Sequence, residues 1–272
     1  MIISRPSVKA VVILASVLFV AGGTFVYANH SWGGYHWART SNPFTLKLGD
    51  NVSSAWNTYL NEASSDWSAS TILDTAVVQG GTKPRNCRAT NGQVEVCSSK
   101  YGFNGWLGVA SIWISGDHIV KGTAKVNDSY FNTAMYNTPA WRRLVMCQEI
   151  AHTFGLDHQD EEFNNANLGS CMDYTNDPDG GLDGFVNDDP SNEHPNAHDY
   201  EQLEAIYSHF DSTATVRQTA SGRGRFGNGH EADDVSDDWG KKIRKDLRGR
   251  TSLHVRDLGN AEKVFTFIFW TD

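Results

Sequence analysis

The chain reads as an α+β protein on three observations. Segments with strand periodicity cluster between Phe44 and Val126. Helices with capping signals follow at Thr138 and Asn196, and turns bearing glycine or proline separate these elements. With 272 residues and 39% hydrophobic content, the chain can bury one core of about 150–200 residues and still carry an appendage.

Residues 1–28 have the layout of a secretory signal. Arg5 and Lys9 precede an apolar run over 10–20 that only Ser16 interrupts, and Val26 and Ala28 stand at the −3 and −1 positions of a cleavage site before Asn29. The alternative is an uncleaved membrane anchor, because residues 10–28 carry no charge and are nearly long enough to span a bilayer. Gly22, Gly23 and Thr24 dilute the run and favour cleavage. Without Arg5 and Lys9, 21 basic side chains face 32 acidic ones, a formal charge of −11. Such a surface argues against nucleic acid and anionic membranes as partners and suits a secreted, monomeric protein.

Residues 29–43 are rich in Gly, Trp, His and Ser and read as an exposed lead-in, with His30 and His36 on the surface. Residues 44–48 alternate as a first strand. Asp50 can cap a helix over 52–64, with Val52, Trp56, Leu60 and Ala63 at helical spacing. Residues 75–79 form a short strand, followed by the turn-rich 80–84. Cys87 and Cys97 flank Asn91-Gly92, a hairpin signal, so a disulfide closing that loop is expected. Of the three pairings four cysteines permit, this one leaves Cys147 with Cys171. Residues 107–115 and 118–126 read as strands around the Gly116-Asp117 turn.

Thr138 and Pro139 suit the N-cap and first position of a central helix. Trp141, Leu144, Val145 and Ile150 or Ala151 face its core, Arg142 and Arg143 face solvent or form salt bridges, and Asp157 and the acidic run 160–162 are expected to be solvated. In the polar stretch 176–192, Asp177, Asp179 and Asp183 resemble half of a calcium loop, but the bidentate Glu is missing. A polar surface loop is the simpler reading, with Ca2+ a secondary expectation. Asn196 with Asp199 starts a final helix through Tyr207, and His194 and His198 before and within it are read as surface residues. Residues 212–237 compose a linker. In 238–272, strands at 252–255 and 264–270 flank Gly259-Asn260; so small a hairpin must dock on the main domain or on a partner.

The stretch Cys147 to His158 organises the chain. On a helix, Gln148 and His152 lie one turn apart on one face, and Glu149 sits about 60° round from His152. Gly155 can take the left-handed turn that ends a helix and swings His158 back towards the same point. Three donors and a carboxylate then converge on a volume the size of a hydrated cation. No serine or cysteine nucleophile arrangement competes with this one.

The segment resembles the metzincin zinc endopeptidase signature H-E-x-x-H-x-x-G-x-x-H, and Ser170-Cys171-Met172-Asp173-Tyr174 resembles that family's Met-turn. The resemblance covers about 44–211. It implies a zincin catalytic domain: a mixed twisted sheet, an active-site helix and a C-terminal helix. It implies zinc held by His152, His158 and Gln148, with Glu149 as general base towards the water and Met172 as the floor of the site. Tyr174 is implied as a hydrogen-bond donor to the substrate's oxyanion, and a polypeptide bound in extended form along a sheet edge, here 105–111, as substrate. One departure stands out: Gln148 replaces the first histidine, and an amide oxygen is a weaker zinc ligand than imidazole. The rival class is a metzincin-like pseudopeptidase that has lost metal through Gln148 and binds protein or glycan. A third reading, a structural zinc, fits three ligands with an open position poorly.

Overall fold

The computed structural model describes residues 30–181, 189–216 and 239–271; the expected signal segment, most of the linker and Asp183 lie outside them. The elements run β1 (His36–Trp37), β2 (Phe44–Asn51), α1 (Asn57–Trp67), β3 (Leu73–Gln79), β4 (Val94–Ser99), β5 (Trp106–Ser115) and β6 (His118–Asn127). After these come α2 (Asp128–Phe131), α3 (Pro139–His152), α4 (Ala197–Ile206), β7 (Lys241–Lys245), β8 (Thr251–Gly259) and β9 (Glu262–Trp270). All nine strands join one mixed sheet, in the order β3-β2-β4-β6-β5-β9-β8-β7, with β1 beside β6. The half from β3 to β6 is parallel, and the half from β5 to β7 is antiparallel. This is an α+β architecture, as the sequence predicts.

Burial explains the pairing. Leu46 and Leu48 of β2, Val94 and Val96 of β4, and Ala124 and Val126 of β6 alternate into the main core. In β5, Leu107 and Ala110 face that core while Trp106 and Val109 face a smaller cluster around Ile268. A register irregularity between Trp106 and Gly108 produces the change of parity. Helix α3 begins as expected: the Thr138 side chain accepts from the Trp141 N–H, and Pro139 holds the first position. Helix α4 carries the full capping box of Asn196 and Asp199. Disulfides join Cys87 to Cys97 and Cys147 to Cys171.

Several expectations are corrected. The lead-in is not exposed: His30, Trp32, His36 and Trp37 are buried. Its indoles serve the far end of α3, whose last carbonyls have no helical partner. Trp32 Nε1 donates to the carbonyl of His152 at 3.1 Å, and Trp37 Nε1 donates to that of Thr153 at 2.8 Å. The cysteine hairpin is not one, because β4 pairs in parallel with β2 and β6 and the Asn91-Gly92 turn only feeds that strand. Helix α1 starts at Asn57, and Asp50 instead accepts from the Val52 N–H in a local turn. Arg142 is buried, its guanidinium 4.5 Å from the Trp56 ring centre, so a cation–π contact replaces solvent. Arg143, by contrast, makes the salt bridges expected of it, to Glu62 and Glu193. The C-terminal segment docks on the main sheet and adds a third strand, β7, that the sequence reading lacks.

Candidate metal centre

Helix α3, the turn after it and the 170–174 turn carry the expected site residues and bring His152, His158 and Tyr174 into contact. Gln148, Glu149 and His152 are fully buried on α3, and His158 is nearly so. At Gly155 (φ +105°) an added Cβ would collide with the Tyr35 carbonyl, so the turn that returns His158 needs glycine. The lead-in braces this turn: Asp157 N–H donates to the His30 carbonyl at 2.6 Å, and Ser31 bridges to Leu156. The Cys147–Cys171 disulfide ties α3 to the 170–174 turn, where Met172 is buried and its carbonyl accepts from Gln159 N–H at 2.6 Å.

Hydrogen bonds set the direction of each donor. His152 Nδ1 lies 2.9 Å from the Leu156 carbonyl and must donate to it. His158 Nδ1 lies 2.6 Å from Glu161 Oε1 and donates there; Arg244 Nη2, 3.2 Å away, is the longer contact and is already bonded to Asp157. Both rings therefore carry a lone pair on Nε2 when neutral. Those two Nε2 atoms face each other at 3.0 Å. Gln148 Nε2 donates to the Cys171 carbonyl at 2.8 Å, which leaves its Oε1 buried without a partner. Both oxygens of Glu149 are likewise buried without a partner.

Orphaned buried acceptors on this scale are rare and costly, at about 1–3 kcal/mol each. Two imidazole nitrogens that face each other, with an unpartnered amide oxygen and an unpartnered carboxylate buried on the same helix, are donor types that suit a divalent cation of the zinc class. Two nitrogens sharing such an ion sit roughly 3.3 Å apart for bonds of about 2.0–2.1 Å. Burial pushes Glu149 well above the usual carboxylate range. Burial, reinforced by His158, holds His152 well below the usual imidazole range, so the ring is neutral and its lone pair available.

A second layer orients the first. Arg244 of β7 grips Asp157 with both terminal nitrogens, at 2.6 and 2.7 Å, and its Nε lies 2.9 Å from Glu161. Burial alone would raise Asp157 and Glu161, but Arg244 and His158 outweigh it and leave both below the usual range. The expectation that Asp157 and Glu161 are solvated is thus overturned, and the spacing His158-x-x-Glu161 is the signal that was there to be read. Gly108 of β5 went unnoticed as well; a Cβ there would run into the Glu149 carboxylate.

The edge of β5 beyond β6 is covered. Strand β9 pairs with it antiparallel from Trp106↔Trp270 to Ser115↔Glu262. Phe267 of β9 lies flat on His152, with ring centres 4.2 Å apart and 12° between planes. Tyr174 packs on His158 at 4.4 Å and donates its hydroxyl to the Ile268 carbonyl at 3.1 Å. Burial raises the Tyr174 hydroxyl well above its ordinary value, so it stays a proton donor. Of the expected calcium group, Asp177 and Asp179 lie among the described residues. Asp183 lies outside them, while the Asp177 carbonyl serves Asn167 and Gly180. His194 is exposed and pairs with Asp66, and His198 is half-buried. No helix among the described residues is long and apolar enough to cross a membrane.

No family model and no curated protein matches this chain. Among solved structures, the chain is similar to high choriolytic enzyme 1, a hatching-enzyme zinc-protease from the medaka Oryzias latipes. The identity is 13%, the TM-score 0.37, and the match covers 66% of this chain and 98% of that one.

Proposed function

We propose that this chain is an exported zinc-dependent endopeptidase whose own C-terminal strand lies in the substrate cleft. The carrying observation is the pair of imidazoles whose Nε2 atoms face each other at 3.0 Å, together with the Gln148 Oε1 and the Glu149 carboxylate that are buried without a partner on the same helix. His152 and His158 would hold zinc through Nε2, and Gln148 through Oε1. When bound there, zinc supplies Lewis-acid polarisation of a carbonyl and acidification of water.

The chain's own residues do the rest. Glu149 takes the proton from the attacking water and later hands it to the leaving amine nitrogen; its dry setting raises its proton affinity towards that task. Tyr174 donates its hydroxyl to the carbonyl oxygen of the scissile peptide, as it now does to Ile268. The β5 edge offers backbone hydrogen bonds to an extended chain of antiparallel sense, the sense in which β9 runs. Two disulfides support an oxidising, extracellular setting.

Gln148 and the filled cleft favour a second reading, a binding module with no turnover. Gln148→His tests the ligand set on which both readings turn. A histidine at 148 is expected to tighten zinc by at least about tenfold, roughly 1.4 kcal/mol, in competition with a chromophoric chelator. Unchanged affinity would remove Gln148 from the ligand set.

A further inference from the structure

Away from the cleft, three histidines converge on one carboxylate. His36 comes from β1, His118 opens β6, and His209 and Asp211 follow α4. Nε2 of His118 and of His209 lie 3.1 and 3.6 Å from Asp211 Oδ1, and Nε2 of His36 lies 3.5 Å from Oδ2. The His36 ring meets those of His118 and His209 edge to face, with centres 5.0 and 4.7 Å apart.

His36 is the informative member. It is buried, with 4% of its side chain exposed, and its Nδ1 donates to the Gly34 carbonyl at 2.9 Å. The neutral ring therefore aims a lone pair from Nε2 at the cluster, and that buried atom has no hydrogen-bond partner. A lone pair opposite a carboxylate oxygen repels it unless a proton or a cation lies between. The ligand atoms of His36, His209 and Asp211 already lie within 4.8 Å of one another. His209, 57% exposed, is free to close the remainder. Arg39 shares the Oδ2 that His36 faces: its backbone N–H and Nη1 lie 3.1 and 3.3 Å from that oxygen, while Nη2 is held by the Tyr207 carbonyl. Oδ1 faces His118 and His209.

We infer that His36, His209 and Asp211, with His118 holding the carboxylate from Oδ1, form a second metal site, one that takes a zinc-class ion. Two imidazoles and one carboxylate suit zinc, copper or nickel and disfavour calcium and magnesium, which require oxygen donors. An ion bound there ties the lead-in, β6 and the chain after α4 together, and so stabilises the folded state by mass action. None of these residues belongs to the cleft.

The test is zinc content and zinc-induced thermal shift of the dialysed full-length protein and of a His118→Ala/His209→Ala variant. Both substituted side chains are at least one-third exposed, so folding is not at stake. The wild type is expected to hold one zinc per chain more than the variant, and zinc is expected to raise its Tm further. Equal zinc content and equal shifts would overturn the inference, with a proton then accounting for His36. A parallel His152→Ala/His158→Ala variant keeps the cleft separate. Zinc lost only in that pair sinks the second site and leaves the cleft standing. Zinc lost only in the His118/His209 pair does the reverse.

Discussion

Glu149→Gln is expected to abolish peptide hydrolysis while zinc content and Tm hold. The amide has nearly the same shape and fits the same dry volume against Gly108, but it cannot take a proton from water. Removing a general acid–base costs about 10²–10⁴-fold in rate. The amide also ends the burial of a carboxyl whose two oxygens lack partners, so the variant should be no less stable than the wild type. Casein or a quenched fluorescent peptide provides the assay. Undiminished turnover in this variant would take the proton transfer away from Glu149.

The second large effect concerns the strand in the cleft. Phe267 and Phe269 are essentially fully buried, and burying two phenylalanines contributes about 3–6 kcal/mol before ordering costs. Arg244 adds its clamp on Asp157 and Glu161. A docked form favoured by a few kcal/mol leaves about 0.1–10% of molecules with the β5 edge free. Cutting the chain within residues 217–238 at an introduced protease site, followed by removal of the C-terminal fragment, is expected to raise hydrolysis by about 10- to 1,000-fold. A synthetic peptide of residues 239–271, added back, should restore the low rate. If the fragment is shown to have left and the rate stays where it was, β9 does not hold the cleft.

How much of this was legible in the sequence follows the range of the interactions. Helix α3 was, because Thr138, Pro139 and the apolar spacing act within a turn or two. So was the meeting of His152 and His158, since Gly155 and a six-residue separation decide it locally. The lead-in was misread because its glycines and histidines look like surface, whereas the partners that bury Trp32 and Trp37 lie more than a hundred residues away. Long separation in the chain also hid Arg244 and Phe267: no local pattern marks a lysine- and arginine-rich strand as the brace of a site, or a phenylalanine as the lid over a histidine. Gly108 is visible as a necessity only once Glu149 is seen against it.

The most direct test of the central claim is an anomalous difference map at the zinc edge, from crystals of the full-length protein equilibrated with zinc. The account predicts a peak about 2.0–2.1 Å from Nε2 of both His152 and His158, with Gln148 Oε1 turned to it. A map with zinc bound elsewhere on the molecule and nothing between those two nitrogens would contradict it.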